Sequence, residues 1–200
     1  MILRLVCFFF ILSFHLSPSE AQEQQFSINP SESVVIWTGK KLTGQHTGAL
    51  LVQEGTVTVD EGRIVSGSFV MNMASISNRD IESQQYRTKL ENHLKSDDFF
   101  NVSQFPTARF EIKKVVEEQN GEQRLTGDLT VKNITHSISF PVKVEKNEGG
   151  YSARGKVILN RARWDIKYNS GSFFDPNVLG DKLIYDDIEI EVEMTTEKQT

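Results

Sequence analysis

Apolar and polar residues alternate along most of this 200-residue chain. Ile188, Ile190, Val192 and Met194, for example, are separated from one another by acidic residues. Because successive side chains of a β-strand point to opposite faces, this alternation predicts strands with one apolar and one polar face. The remaining rows are 34–37; 57–59; Val65, Gly67, Phe69, Met71 and Met73; Ala108, Phe110, Ile112 and Val116; Leu125, Leu129 and Val131; Ile138, Phe140, Val142 and Val144; and Tyr151, Ala153, Gly155, Val157 and Leu159.

Short turn signals rich in Asn, Asp and Gly separate these rows, at 60–62, 120–121, 132–133 and 147–150. Turns of this length join antiparallel neighbours, so strands that follow one another in sequence are expected to pair. About eight such strands fit a closed barrel or a two-layer sandwich. Closure leaves no exposed strand edge, and the pattern therefore predicts an all-β fold, an eight-stranded antiparallel barrel in one domain.

One segment interrupts the alternation. Residues at about 79–94 have helical periodicity, with Ser77 and Asp80 at the spacing of a capping box. Several aromatic residues follow before Pro106 returns the chain to an extended conformation. A helix of this length can cover one mouth of a barrel. The residues predicted to form this lid are Tyr86, Leu90, Phe99, Phe100 and Phe105.

The N-terminus has the pattern of a secretory signal peptide. Arg4 precedes an apolar run at 5–16, and a small-x-small sequence ends at Ala21. Twelve residues are too few to cross about 30 Å of hydrocarbon, so no stable membrane span is predicted. We expect a cleaved signal peptide at 1–21 and a single domain at 22–200, exported to the periplasm or secreted. Cys7 would leave with the leader, which excludes thiol chemistry in the mature chain.

Composition and motifs do not favour catalysis, a cofactor or nucleic acid. The net charge is −5 without a basic stripe, which argues against nucleic acid as a partner. His46, His93 and His136 have no metal-binding spacing, so no metal site is predicted. No catalytic motif is present, and no catalytic residue or cofactor is assigned. One alternative is an enzyme acting on a lipid head group, using His93 or His136 with Asp97 or Asp98.

The interior of the predicted barrel is either a channel or a solid core. The rows mix large and small side chains, which suits a tapered channel and a solid core equally well. If a channel exists, a phenylalanine at Gly155 is expected to fill it without disturbing the fold. The residues predicted to line the channel are Phe69, Met71, Phe110, Ile112, Leu129, Phe140, Val142, Gly155, Val157, Leu159 and Ile188.

Three blocks of the sequence resemble the YceI-like family of bacterial periplasmic proteins. They are residues 94–102 with 105–110, residues 127–136, and residues 160–161 with 164–166. Asn133 and Asp165 stand where the family usually has glycine. The first block is the most specific, and together with the strand around Trp37 the resemblance covers essentially the whole chain after the leader.

This resemblance implies a lipocalin-like barrel with a helix at one mouth. It also implies non-catalytic binding of a polyisoprenoid, either a quinone or a prenyl-phosphate chain, or of another long-chain apolar lipid. Arg161 and Trp164 are then candidates for contacting the head group, although Arg161 fits a structural ion pair equally well. A solid-cored stress or interaction protein is the main alternative. The oligomeric state, including a homodimer, stays open.

Overall fold

The computed structural model of the protein describes residues 23–197. The predicted signal peptide lies outside these residues. The strands within them are β1 (Gln24–Ser27), β2 (Val34–Lys41), β3 (Gly44–Asp60), β4 (Arg63–Asn78), β5 (Thr107–Glu117), β6 (Gln123–Val131), β7 (Ile134–Asn147), β8 (Gly150–Asn160) and β9 (Ile184–Thr195). The helices are α1 (Gln84–Lys95) and α2 (Pro176–Leu179), with 3-10 turns at Pro30–Glu32, Arg161–Trp164 and Gly180–Lys182.

The strands form a closed antiparallel barrel. Each strand from β2 to β9 pairs with its neighbours in sequence, and β9 pairs with β2 to complete the ring. The predicted eight-stranded barrel is therefore confirmed. β1 is an additional short strand that pairs with the second half of β3, at Thr56–Val59. None of the helices formed by residues 23–197 is long and apolar enough to cross a membrane.

Several β-bulges or irregularities interrupt the strand pairing, and two of them change the side on which a predicted inward residue lies. In β4, Val59 pairs with Ile64 and Thr58 pairs with Ser66, which leaves Val65 as an extra residue. Val65 is 39% exposed and Ile64 is buried, so the predicted inward position of Val65 is wrong. A similar shift between β5 and β6 leaves Val116 45% exposed. Each bulge inserts one residue and so reverses the alternation beyond it.

The helix begins later than predicted, at Gln84, and ends at Lys95. Asp80 does not cap it. The Asp80 carboxylate instead accepts hydrogen bonds from the backbone N–H of Thr47 (2.8 Å) and from Asn78 Nδ2 (2.6 Å). Residues 79–83 are thereby held against the first part of β3, and the helical turns start only after Ser83.

Candidate functional site

A cavity of about 310 Å³ lies inside the barrel. Apolar side chains from all eight barrel strands form most of its lining. The cavity extends from Lys41 and His46, beside the β2–β3 turn, to Val59 and Tyr151 toward the opposite end. Its volume is about twenty times the space that one water molecule requires, and a space of this size with an apolar lining suits an apolar molecule.

The two sides of the cavity are packed differently. On one side, the inner residues of β4–β7 are buried, and Phe110 lies between Phe69 and Phe140 with ring centroids 6.4 and 5.6 Å apart. On the other side, the inner residues of β8 and β9 are only half-buried. We call these the aromatic wall (Ile64, Phe69, Met71, Met73, Ala108, Phe110, Ile112, Leu125, Leu129, Ile138, Phe140 and Val142) and the aliphatic wall (Ala153, Val157, Leu159, Ile184, Ile188, Ile190, Val192 and Met194).

Most residues predicted to line a channel do border the cavity. Ile112 does not, because it is packed inside the aromatic wall, where it contacts β4 near Gly67. Gly155 is also absent from the lining. The predicted residues that border the cavity are Phe69, Met71, Phe110, Leu129, Phe140, Val142, Val157, Leu159 and Ile188.

Gly155 lies against β7 rather than against open space. A Cβ atom there would approach both the carbonyl oxygen of Pro141 and Cγ1 of Val142 to 2.8 Å. The first contact is with backbone, which cannot move aside without bending the strand. The expectation that phenylalanine at this position fills a channel and leaves the fold intact is therefore wrong.

Part of the predicted lid reaches the cavity. Leu90, Phe99 and Phe100 border it, together with Leu94. Tyr86 does not, because it lies in the first turn of α1 with its side chain 64% exposed.

Phe105 does not border the cavity either. It follows the turn at Asn101, whose carbonyl oxygen accepts a hydrogen bond from the Phe105 N–H (2.9 Å). The lid therefore consists of the second half of α1 and the two aromatic residues that follow it.

Arg161 borders the cavity and is 2% exposed, but its donors are already engaged. They bond to the carbonyl oxygens of Ile166 (3.0 Å), Ile184 (3.1 Å) and Tyr185 (3.3 Å), and Asp186 lies 3.3 Å away. Burial lowers the pKa of Arg161, and the charge of Asp186 opposes this effect. These contacts fasten the segment after β8 to the start of β9.

Trp164, the second residue proposed to contact a head group, is buried at the same end. Its indole N–H donates to the carbonyl oxygen of Leu129 (3.3 Å), so it too is engaged within the protein. Neither side chain offers a free polar group to the cavity. The geometry fits the structural interpretation of Arg161.

The histidines of the enzyme alternative do not form one site. His93 Nε2 lies 2.8 Å from Asp98 Oδ2, and its ring packs edge-on against Phe99. His136 Nε2 lies 2.8 Å from the carbonyl oxygen of Arg163 and donates a hydrogen bond to it, because a carbonyl can only accept. Within residues 23–197, no group of three potential ligands could hold a metal ion.

Sequence reasoning missed a polar group at one end of the cavity. Lys41 and His46 both border it, and His46 Nδ1 lies 2.8 Å from Asp80 Oδ2. Partial burial raises the pKa of Asp80, but hydrogen bonds from His46, Thr47 and Asn78 outweigh this and lower it below its usual value. Asp80 is therefore an ionised carboxylate that fixes the orientation of the His46 ring.

Comparison with known proteins places the whole barrel in one family. The family model described as the YceI-like domain matches residues 26–196. A UPF0312 protein of Staphylococcus aureus strain bovine RF122 is 37% identical over 86 residues, which are 40% of this chain and 47% of that protein. One from Shewanella denitrificans is 28% identical over 104 residues, 50% and 52% of the two chains. The chain thus spans about half the length of these relatives in the matches.

Solved structures share the fold at low sequence identity. BcnA of Burkholderia cenocepacia has a TM-score of 0.66 at 19% identity, covering 84% of this chain and 98% of that one. A polyisoprenoid binding domain from Saccharophagus degradans, implicated in plant cell wall breakdown, has a TM-score of 0.62 at 10% identity, with coverage of 87% and 98%. The YceI protein of Campylobacter jejuni has a TM-score of 0.52 at 21% identity, with coverage of 69% and 75%.

Proposed function

The chain belongs to the YceI-like domain family, and we propose that it binds one long apolar lipid inside its barrel without changing it chemically. The proposed ligand is a polyisoprenoid, such as the chain of a quinone or of a prenyl phosphate. The observation that carries this proposal is the apolar cavity along the barrel, which is bordered by a half-buried aliphatic wall. Half-buried Val, Leu, Ile and Met side chains gain stability when an apolar partner covers them.

The shape and chemistry of the cavity suit a slender chain. Its aliphatic wall offers contact surface and no hydrogen-bonding groups, so the bulk of the ligand should be hydrocarbon. At about 0.3 kcal/mol per heavy atom, a chain of about 30 carbons gains about 9 kcal/mol, which corresponds to sub-micromolar affinity. The structural neighbour described as a polyisoprenoid binding domain supports this ligand class as a hypothesis.

The cavity favours a carrier over the solid-cored alternative, since a solid core would bury the inner residues of β8 and β9 as fully as those of β4–β7. The head-group enzyme is less well supported, because His93 and His136 are engaged in separate packing contacts. With the leader predicted at 1–21, storage or transport in the periplasm is the role that we propose.

Lipid recovered from the natively produced protein tests this proposal. The full chain would be expressed with its leader, purified from a bacterial envelope, extracted with organic solvent and examined by mass spectrometry. We expect about one prenyl lipid per protein molecule. Repeated recovery without prenyl lipid, together with no displacement of an apolar dye by quinones, would contradict the proposal.

A pair of substitutions at Gly39 provides the matched control. A Cβ atom at Gly39 would have no neighbour within 4 Å, so a side chain there enters open space. Gly39→Phe should fold normally and lose most of the bound lipid because its ring occupies the mouth. Gly39→Ala should retain the lipid. Equal lipid in both variants would place the ligand outside this cavity.

A further inference from the structure

The inner row of β2 becomes polar at one end of the cavity. Val35 and Trp37 continue as Gly39 and Lys41, all on the face that borders the cavity. Alternation along the strand assigns these four residues to the same side. An apolar residue is the expected choice at an inner position of a barrel that holds hydrocarbon. Lys41 departs from that pattern where the cavity reaches its mouth.

The neighbouring strand places a second polar residue beside it. Gly39 pairs with His46, and Lys41 pairs with Gly44, so His46 lies on the same inner face. Asp80 engages Nδ1 of His46 and is itself bonded to Thr47 and Asn78. Among the residues that the structure describes, Nε2 of His46 has no hydrogen-bond partner. We call Gly39, Lys41 and His46 the polar rim.

The charge of Lys41 is not neutralised within the described part of the chain. No carboxylate there lies within 4 Å of its ammonium group, whereas the adjacent Lys40 pairs with Glu189 and Arg161 pairs with Asp186. Lys41 is exposed, and what distinguishes it from other unpaired surface lysines is its position at the mouth of an apolar cavity. A ligand with an anionic end would gain an ion pair there.

Space and a further donor lie next to these groups. Nothing would contact a Cβ atom at Gly39 within 4 Å, so the rim encloses open volume. Deeper on the same row, the indole N–H of Trp37 is shielded from solvent and has no hydrogen-bond partner within residues 23–197. A buried donor without an acceptor is costly, and an oxygen atom of a ligand is one way to satisfy it.

From these contacts we propose that the polar rim binds the phosphate group of a prenyl phosphate, with the hydrocarbon chain extending along the aliphatic wall. The inference rests on the proposed lipid-binding function and selects among its ligands. Lys41 supplies the positive charge. Nε2 of His46, which has no other partner among the described residues, can form a hydrogen bond with a phosphate oxygen.

A neutral head group would form fewer interactions with the polar rim than a phosphate. A quinone carbonyl can accept a hydrogen bond, but it brings no charge to pair with Lys41. Inorganic phosphate could reach the rim, but it would gain nothing from the aliphatic wall. The same chemistry therefore favours a phosphate attached to a long chain.

Binding of matched ligands to the delipidated full chain tests this inference. Geranylgeranyl phosphate, geranylgeraniol and a quinone with the same chain would be titrated, with inorganic phosphate as a competitor. We expect wild type to bind the prenyl phosphate about tenfold more tightly than the alcohol. Lys41→Gln should remove that preference and leave the affinity for the alcohol within about twofold.

Lys146 is the matched control. It is an exposed lysine near the end of β7, with no carboxylate within 4 Å among the described residues, and it does not border the cavity. Lys146→Gln should keep the preference for the prenyl phosphate, and His46→Ala should reduce it several-fold. If Lys146→Gln reduces the preference for the prenyl phosphate as much as Lys41→Gln does, the effect is one of general charge. That result would overturn the assignment to the rim.

The remaining outcomes separate the two proposals. If neither prenyl ligand binds, the lipid-binding function itself fails. If the alcohol or the quinone binds as tightly as the prenyl phosphate, the carrier function stands and the phosphate assignment is overturned. Displacement of the prenyl phosphate by an equal concentration of inorganic phosphate would show a site for free phosphate and would also overturn it.

Discussion

The aromatic and aliphatic walls are built from strands with the same alternation, yet they leave different amounts of side chain uncovered. Phe69, Phe110 and Phe140 are 6–8% exposed, whereas Ile190 and Val192 are half-buried beside the cavity. Large inner residues are concentrated on β4–β7 and cover one another. Smaller aliphatic residues on β8 and β9 do not span the remaining space. The cavity therefore results from segregation of residue size within one barrel.

Two glycines show the same contrast. At Gly127, on β6, a Cβ atom would lie 2.4 Å from the Glu111 carbonyl oxygen and 2.6 Å from Phe110 Cζ. At Gly39, beside the aliphatic wall, it would meet nothing within 4 Å. Glycine on the aromatic wall lets a phenylalanine ring lie close to the strand. Gly39 leaves volume open, whereas Gly155, also beside the aliphatic wall, packs against β7.

The largest expected effect comes from removing a ring of the aromatic wall. Phe110→Ala should reduce the free energy of unfolding by about 3–5 kcal/mol, because the lost contacts leave a cavity between Phe69 and Phe140. Ile190→Ala on the aliphatic wall should cost about 1–2 kcal/mol, since part of that side chain already faces open space. Urea denaturation of the delipidated protein measures both. Equal losses would show that the walls are equally packed.

A smaller effect is expected from one added methyl group. Gly127→Ala should destabilise by about 1–3 kcal/mol because it forces the Phe110 ring or the β5 backbone to shift. Gly39→Ala should change the free energy of unfolding by no more than about 0.5 kcal/mol. Thermal unfolding of the two variants provides the comparison. A similar cost at both positions would contradict the open volume beside the aliphatic wall.

The smallest effect concerns the pH dependence of stability due to Asp80, the partner of His46 in the polar rim. The lowered pKa of Asp80 means that its ionised form stabilises the fold above the unfolded-state pKa of about 4, and this contribution disappears as pH falls through the lower folded-state pKa. Asp80→Asn should therefore lose about 1 kcal/mol at pH 7. The difference from wild type should shrink below about pH 4.

Denaturant unfolding of both proteins at pH 7, 5 and 3 checks this expectation. Glu111→Gln is a suitable control, since the pKa of Glu111 is also lowered, by its hydrogen bond and ion pair with Lys113, but its side chain is half exposed and lies on β5, away from the rim. A stability difference between wild type and Asp80→Asn that stays constant from pH 7 to pH 3 would show that Asp80 does not act as a carboxylate here.

The strands and their order followed from the sequence because alternation and short turns are local signals. The bulge at Val65 did not, since an extra residue is defined only by the register with the neighbouring strand. Ser77 and Asp80 had capping-box spacing, yet Asp80 bonds to Thr47 and His46, more than thirty residues earlier. Local spacing cannot reveal a partner that closure of the barrel brings near.

The candidate site was predictable only in part for the same reason. Periodicity identified inner residues such as Phe110 and Val157, but it did not show which strands would face an empty volume. Gly155 and Gly39 look alike in sequence, and only the structure shows that one packs against β7 and the other faces open space. Lys41 was missed because a single lysine at a strand end is usually a solvated residue.

A crystal structure of the protein with a bound polyprenol tests the central claim most directly. We expect elongated electron density along the aliphatic wall, in contact with Val157, Ile190 and Val192, while the rings of Phe69 and Phe110 stay as they are. Density confined to the outer surface, or an empty cavity in the presence of saturating polyprenol, would contradict a carrier whose binding site is the space between the two walls.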